Sequence, residues 1–139
     1  MANYLITGGA GFIGSHLAKN LIADRHQVRV IDDLSTGVAD RLPALCQLIV
    51  GDVRNQRAVA EAMQGMDGCF HLAAVASVQR SNDAWLQSHQ TNLSGTINVF
   101  DAARKNATPV VYASSAAVYG DNAEIPLKES SLVRPLTAY

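Results

Sequence analysis

Glycines recur as Gly-x-x-Gly-x-x-Gly at Gly8, Gly11 and Gly14, behind the apolar run Asn3 to Ile6. An apolar strand that turns through such glycines into a helix offers unpaired N–H groups and a positive dipole end to an anion. That is the chemistry of a dinucleotide pyrophosphate cradle. Gly8 permits the tight turn, Gly11 lets the backbone approach the phosphates, and Gly14 lets the helix pack closely on the strand. A second apolar run, Gln27 to Ile31, ends in Asp32 and Asp33. A carboxylate there can accept both ribose hydroxyls of an adenosine half, and it repels a 2′-phosphate, which favours NAD over NADP. The alternative is an ordinary strand–helix–strand unit with a glycine turn and an aspartate cap.

Further polar or small residues fall one apolar run at a time. Asp52 and Val53 follow the third, His71-Leu-Ala-Ala74 closes the fourth, and Ser114 and Ser115 follow the fifth. In an open α/β sheet, ligands lie outside the carboxyl ends of the strands. Ala73, Ala74 and Ala76 would let a flat cofactor lie against the backbone. Each residue also has a plainer reading. Ser115 could cap the loop, His71 could be a satisfied strand histidine with no chemical role, and Tyr119 could pack under the loop. His16, His26 and His89 have no metal-ligand spacing, so no metal site is expected.

The elements that must position these groups alternate strand and helix, which implies an α/β fold of the Rossmann type, a doubly wound parallel sheet of about five strands. Phe12, Ile13, Leu17, Leu21 and Ile22 mark the first helix. The third strand is expected around Leu45 to Val50, and a helix over Gln56 to Met63 with Gly65 as its stop. Gly68 to Leu72 reads as strand four, Asn82 to Lys105 mainly as one long helix, and Pro109 to Ala113 as strand five. Ser114 to Ala138 reads as loop.

The 139 residues make one domain, 1–139. Net charge is −1 and the charges are scattered, which gives no basis for nucleic-acid binding. No apolar run is long enough for a membrane span, and Met1 leads directly into a strand, so the expected place is the cytoplasm. Cys46 and Cys69 are expected to be buried free thiols.

Together, Thr7-Gly-Gly-Ala-Gly-Phe-Ile-Gly14, Asp32-Asp-Leu-Ser-Thr-Gly37, Gly51-Asp-Val-Arg54, His71-Leu-Ala-Ala74, Asn92-Leu-Ser-Gly-Thr96, Ser114-Ser-Ala-Ala-Val-Tyr-Gly120 and Pro135 to Tyr139 form a series in order along the chain. The series resembles the N-terminal part of the extended short-chain dehydrogenase/reductase family, in particular its NAD-dependent nucleotide-sugar epimerases. The resemblance implies backbone contacts to the pyrophosphate from Gly8, Gly11, Phe12, Ile13 and Gly14. It implies ribose binding by Asp32, an adenine border at Asp52 and Val53, and a cofactor channel along Leu72, Ala73 and Ala74. Asn92 would be a polar group close to the active site, or a buried hydrogen-bonder only. Ser115 would bond the sugar hydroxyl being oxidised and Tyr139 would be the general base. The partner implied is a nucleotide sugar, a UDP-hexose in the full-length form. Ala116 and Ala117 replace the acidic pair of the sugar dehydratases, which favours an epimerase or a simple reductase.

The family pattern is Tyr-x-x-x-Lys, and no lysine follows Tyr139 in this sequence. Phenolate formation at neutral pH takes roughly 4 kcal/mol of preferential stabilisation, much of which that lysine supplies. Family members are about twice as long, so the domain is expected to be incomplete, lacking the final strands and the substrate domain. The chain by itself is expected to bind NAD without epimerase turnover and to form a homo-oligomer through the exposed fifth strand or the long helix. The alternative is a stand-alone, non-catalytic NAD-binding or assembly module.

Overall fold

Alternate residues of the first strand point to opposite sides, and both sides are apolar, so both must be covered. In the computed structural model of the chain, which describes residues 1–137 and 139, five strands form one sheet. They are β1 (Asn3–Thr7), β2 (Gln27–Asp32), β3 (Gln47–Val50), β4 (Gly68–His71) and β5 (Val110–Tyr112). All pairings are parallel and the order is β3-β2-β1-β4-β5. This is the Rossmann-type order. The chain runs outward from β1 to β3, then crosses back to β4 on the other side, which opens a crevice at the carboxyl ends of β1 and β4.

Helix α1 (Phe12–Ala23) covers one face and α2 (Gln56–Met63) with α5 (Gly95–Asn106) covers the other. Ile6, Val28 and Val30 pack with Ala18, Leu17, Leu21 and Ile22 of α1. Leu5, Ile31 and Cys69 pack with Val59 and Met63 of α2 and with Val99, Ala102 and Ala103 of α5. The Asn55 side chain caps α2 by accepting from the Arg57 and Ala58 amides, both at 3.1 Å. Helix α5 ends at Ala107 in the left-handed region, φ 52°.

Several sequence expectations need correction. The third strand starts at Gln47 rather than Leu45, because Cys46 donates back to the Pro43 carbonyl at 2.9 Å and closes a turn there. The long helix is not continuous. It begins earlier, as α3 (Val78–Asp83) capped by Ser77, and breaks at Ala84 with φ −132° and ψ 61°. It resumes as α4 (Trp85–His89), widens into a π-helical stretch over Gln90–Ser94 and continues as α5. The expected loop after β5 contains a 3-10 turn at Ala116–Tyr119, and its last residue, Ala138, lies outside the described residues. Cys69 is buried and burial pushes its thiol up to about 12, but Cys46 is only half-buried. Among the described residues, no helix is long and apolar enough to cross a membrane.

Candidate functional site

The crevice opens as a cleft of about 750 Å3 over the carboxyl ends of the strands, and every residue expected to be catalytic or cofactor-binding lines it. β1 delivers the glycine turn. Gly8 has φ +68°, and a Cβ there would meet the Ala73 backbone nitrogen at 2.7 Å. The turn closes with Gly11 N–H donating to the Gly8 carbonyl at 3.2 Å. Helix α1 then starts at Phe12 with no side-chain cap. The first-turn amides of Phe12, Ile13 and Gly14 lie at the helix end where no intrahelical acceptor is available, and all three residues line the cleft. A Cβ on Gly14 would come within 2.5 Å of Gly9 Cα and 2.6 Å of the Gly8 carbonyl oxygen. Gly14 thus packs the helix on the turn itself, a closer fit than the expected contact with the strand.

β2 delivers Asp32, which is buried at 7% exposure. Its Oδ2 accepts from the Ala10 amide and its Oδ1 from the Leu34 amide, each at 2.9 Å. Each carboxylate oxygen keeps a second acceptor position. One carboxylate therefore ties the glycine turn to the loop after β2 and still has capacity for ribose hydroxyls. Asp33 is exposed and closes a local turn by accepting from the Ser35 amide at 2.9 Å.

After β3, Asp52 does not stand free. Its Oδ1 accepts from the Arg54 amide at 2.8 Å and its Oδ2 from Arg54 Nε at 2.7 Å. These bonds from Arg54 hold the Asp52 carboxyl below the usual range. Arg54 also lines the cleft and was missed in the sequence, where its only signal was the Asp-x-Arg spacing. Val53 is buried beneath it.

β4 ends at His71, and Leu72, Ala73 and Ala74 continue as the opposite wall. Asn92, in the π-helical stretch, grips the wall further on. Its Oδ1 accepts from the Val75 amide at 2.8 Å and its Nδ2 donates to the Val75 carbonyl at 3.3 Å. Of the two readings left open for Asn92, its side chain makes the structural bonds and also borders the cleft. Ser115 follows β5, where its hydroxyl accepts from the Ala117 amide at 3.1 Å and caps the 3-10 turn while facing the cleft. Tyr139 lines the same cleft, whereas Tyr119 is half-buried elsewhere. Arg80, Gln87 and Thr91 line its far end. None of the three was singled out in the sequence, and Gln87 and Thr91 fell inside the stretch expected as one long helix.

The geometry fits a dinucleotide: a glycine turn without room for a side chain at Gly8 or Gly14, a helix start without a side-chain cap, the Asp32 carboxylate and a small-residue wall line one cleft. The chain matches the model of the NAD dependent epimerase/dehydratase family over residues 4–139. It is 34% identical over 140 residues to a UDP-glucose 4-epimerase of Streptomyces lividans, covering 98% of this chain and 43% of that protein. It superposes on a UDP-glucose 4-epimerase from Brucella ovis in complex with NAD with a TM-score of 0.94 at 34% identity, covering 100% of this chain and 43% of that one. For a UDP-N-acetylglucosamine 4-epimerase from Methanobrevibacter ruminantium, in complex with UDP-N-acetylmuramic acid, the TM-score is 0.93 at 37% identity, with 99% and 46% covered. The chain spans less than half the length of these relatives.

Proposed function

The chain belongs to the NAD dependent epimerase/dehydratase family, and we propose that it is the NAD-binding part of a nucleotide-sugar epimerase. The observation that supports this best is the convergence of the glycine turn, Asp32, Ser115 and Tyr139 on one cleft. NAD+, when bound, supplies a hydride acceptor for a sugar carbon and returns the hydride. The residues of the chain bind and orient. Phe12, Ile13 and Gly14 offer amides to the pyrophosphate, and Asp32 accepts the ribose hydroxyls and disfavours a 2′-phosphate. Val53 and the Asp52–Arg54 pair border the adenine, and the Leu72–Ala74 wall carries the nicotinamide half. Ser115 orients the sugar hydroxyl and Tyr139 takes its proton.

Among the described residues, the cleft is lined by no lysine that could favour a Tyr139 phenolate. In this reading the chain of 139 residues binds cofactor and does not turn over a UDP-hexose by itself. A second copy of the chain is its proposed partner. Leu93, Ile97 and Phe100 form an exposed apolar stripe along the outer side of the π-helical stretch and α5, at 51%, 56% and 40% exposure. Calorimetric titration with NAD+ and NADP+ in parallel tests the cofactor reading. Preference for NAD+ is expected, and binding of neither overturns it. Turnover of a UDP-hexose by the chain alone would refute the claim of inactivity.

A further inference from the structure

His71 is buried at the end of β4, and the function above gives it no task. Its bonds fix where every proton lies. Thr96 has one hydroxyl proton, and it donates that proton to the Asn92 carbonyl at 2.6 Å. Toward His71 Nε2, 2.8 Å away, Thr96 can therefore only accept. Nε2 carries the ring proton and Nδ1 is bare. Nδ1, 2.6 Å from the Thr7 oxygen, must then accept the Thr7 hydroxyl proton. The Thr7 hydroxyl oxygen is left as an acceptor; it takes the Ala73 amide at 3.2 Å and shares the Leu72 amide, also at 3.2 Å, with the Thr7 carbonyl at 3.1 Å. Ala73 N is the atom a Cβ on Gly8 would strike. Burial pushes the His71 pKa down to about 4, so the ring is neutral near pH 7.

We propose that His71 is a positioning residue of the cofactor cleft: held in one tautomer between Thr7 and Thr96, it aims the Thr7 hydroxyl and so seats the Leu72–Ala73 wall against the glycine turn. The inference rests on the cofactor reading of the cleft. One stretch of helix supplies both anchors of that wall, since Asn92 grips Val75 and Thr96 grips His71. The histidine carries the second anchor across to β1, where Thr7 is fully buried immediately before Gly8.

The test separates the two ends of the ring. In His71→Asn the carboxamide oxygen reaches the place of Nδ1 and keeps an acceptor for Thr7. In His71→Gln the carboxamide reaches the place of Nε2 and keeps only the Thr96 bond. NAD+ affinity by calorimetry on the full chain is expected to stay within about threefold of wild type for His71→Asn and to fall roughly tenfold for His71→Gln. Thr7→Val leaves the ring untouched and should cost the same factor, with no further loss in the Thr7→Val, His71→Gln pair. Long-range nitrogen–proton NMR of the wild type should show the ring proton on Nε2 alone. A proton on Nδ1 overturns the inference. So do equal affinities for the Asn and Gln variants, or affinities that merely follow thermal stability across the set. Wild-type chain that binds no NAD+ overturns the reading of the cleft and this inference with it. NAD+ binding unchanged in every His71 variant overturns the inference alone.

Discussion

Replacing Gly14 by alanine adds one methyl group at the point where α1 meets the glycine turn. Its Cβ would lie 2.5 Å from Gly9 Cα and 2.6 Å from the Gly8 carbonyl oxygen. Ordinary carbon contacts start near ~3.5 Å, so the shortfall is about 1 Å. Both neighbours are backbone, and no side chain can swing aside. The turn and the start of α1 must separate. Such overpacking costs about 1–3 kcal/mol of stability. The effect on binding is larger. An amide moved by about 1 Å from an anion loses its hydrogen bond, worth about 1.5–3 kcal/mol for a charged partner. Losing two of the three first-turn amides would cost roughly 3–6 kcal/mol, or about 10²- to 10⁴-fold in NAD+ affinity. Calorimetry measures the affinity and thermal unfolding the stability. A folded Gly14→Ala variant that binds NAD+ within about threefold of wild type would refute the steric account of the cradle.

Other consequences follow from the same geometry. Asp32→Asn can offer an oxygen to only one of the Ala10 and Leu34 amides, so the other faces an NH2 group. The variant should lose about 1.5–3 kcal/mol of stability and its preference for NAD+ over NADP+, read by unfolding and by paired titrations. The His71 pKa is lowered from 6.5 to about 4, so the unfolded chain binds this proton more readily than the folded one. That stabilisation is complete above pH 6.5 and is lost as pH falls toward 4, up to roughly 3 kcal/mol, and His71→Asn should flatten this part of the stability curve. Ile97→Glu places a charge in the exposed α5 stripe. If a second copy covers that stripe, sedimentation should show a dimer for the wild type and a monomer for the variant, and unchanged sedimentation would count against it.

Local rules carried the sequence reading a long way. β1, β2 and β4 were legible as short apolar runs, the mark of strands covered on both faces, and α1 because its apolar residues recur at the helical period. The cofactor side of the cleft was legible because a glycine turn, an acid after the second strand and small residues after the fourth have chemical meaning by type and order. What failed had no local signal. No residue type at Ala84 announces its break, since alanine favours a helix and yet Ala84 takes φ −132° and ψ 61°.

The sequence by itself determined the parallel sheet and most of the residues that line the cleft, because each strand brings its carboxyl-end residues to the same edge whatever surrounds it. The tertiary structure alone decided how those residues are held. Asp32 is bound by an amide from the turn before α1, and His71 joins two threonines from different elements. Hydrogen-bond partners far apart in the chain are chosen by how the layers stack, and the spacing of residues along the chain does not encode that choice.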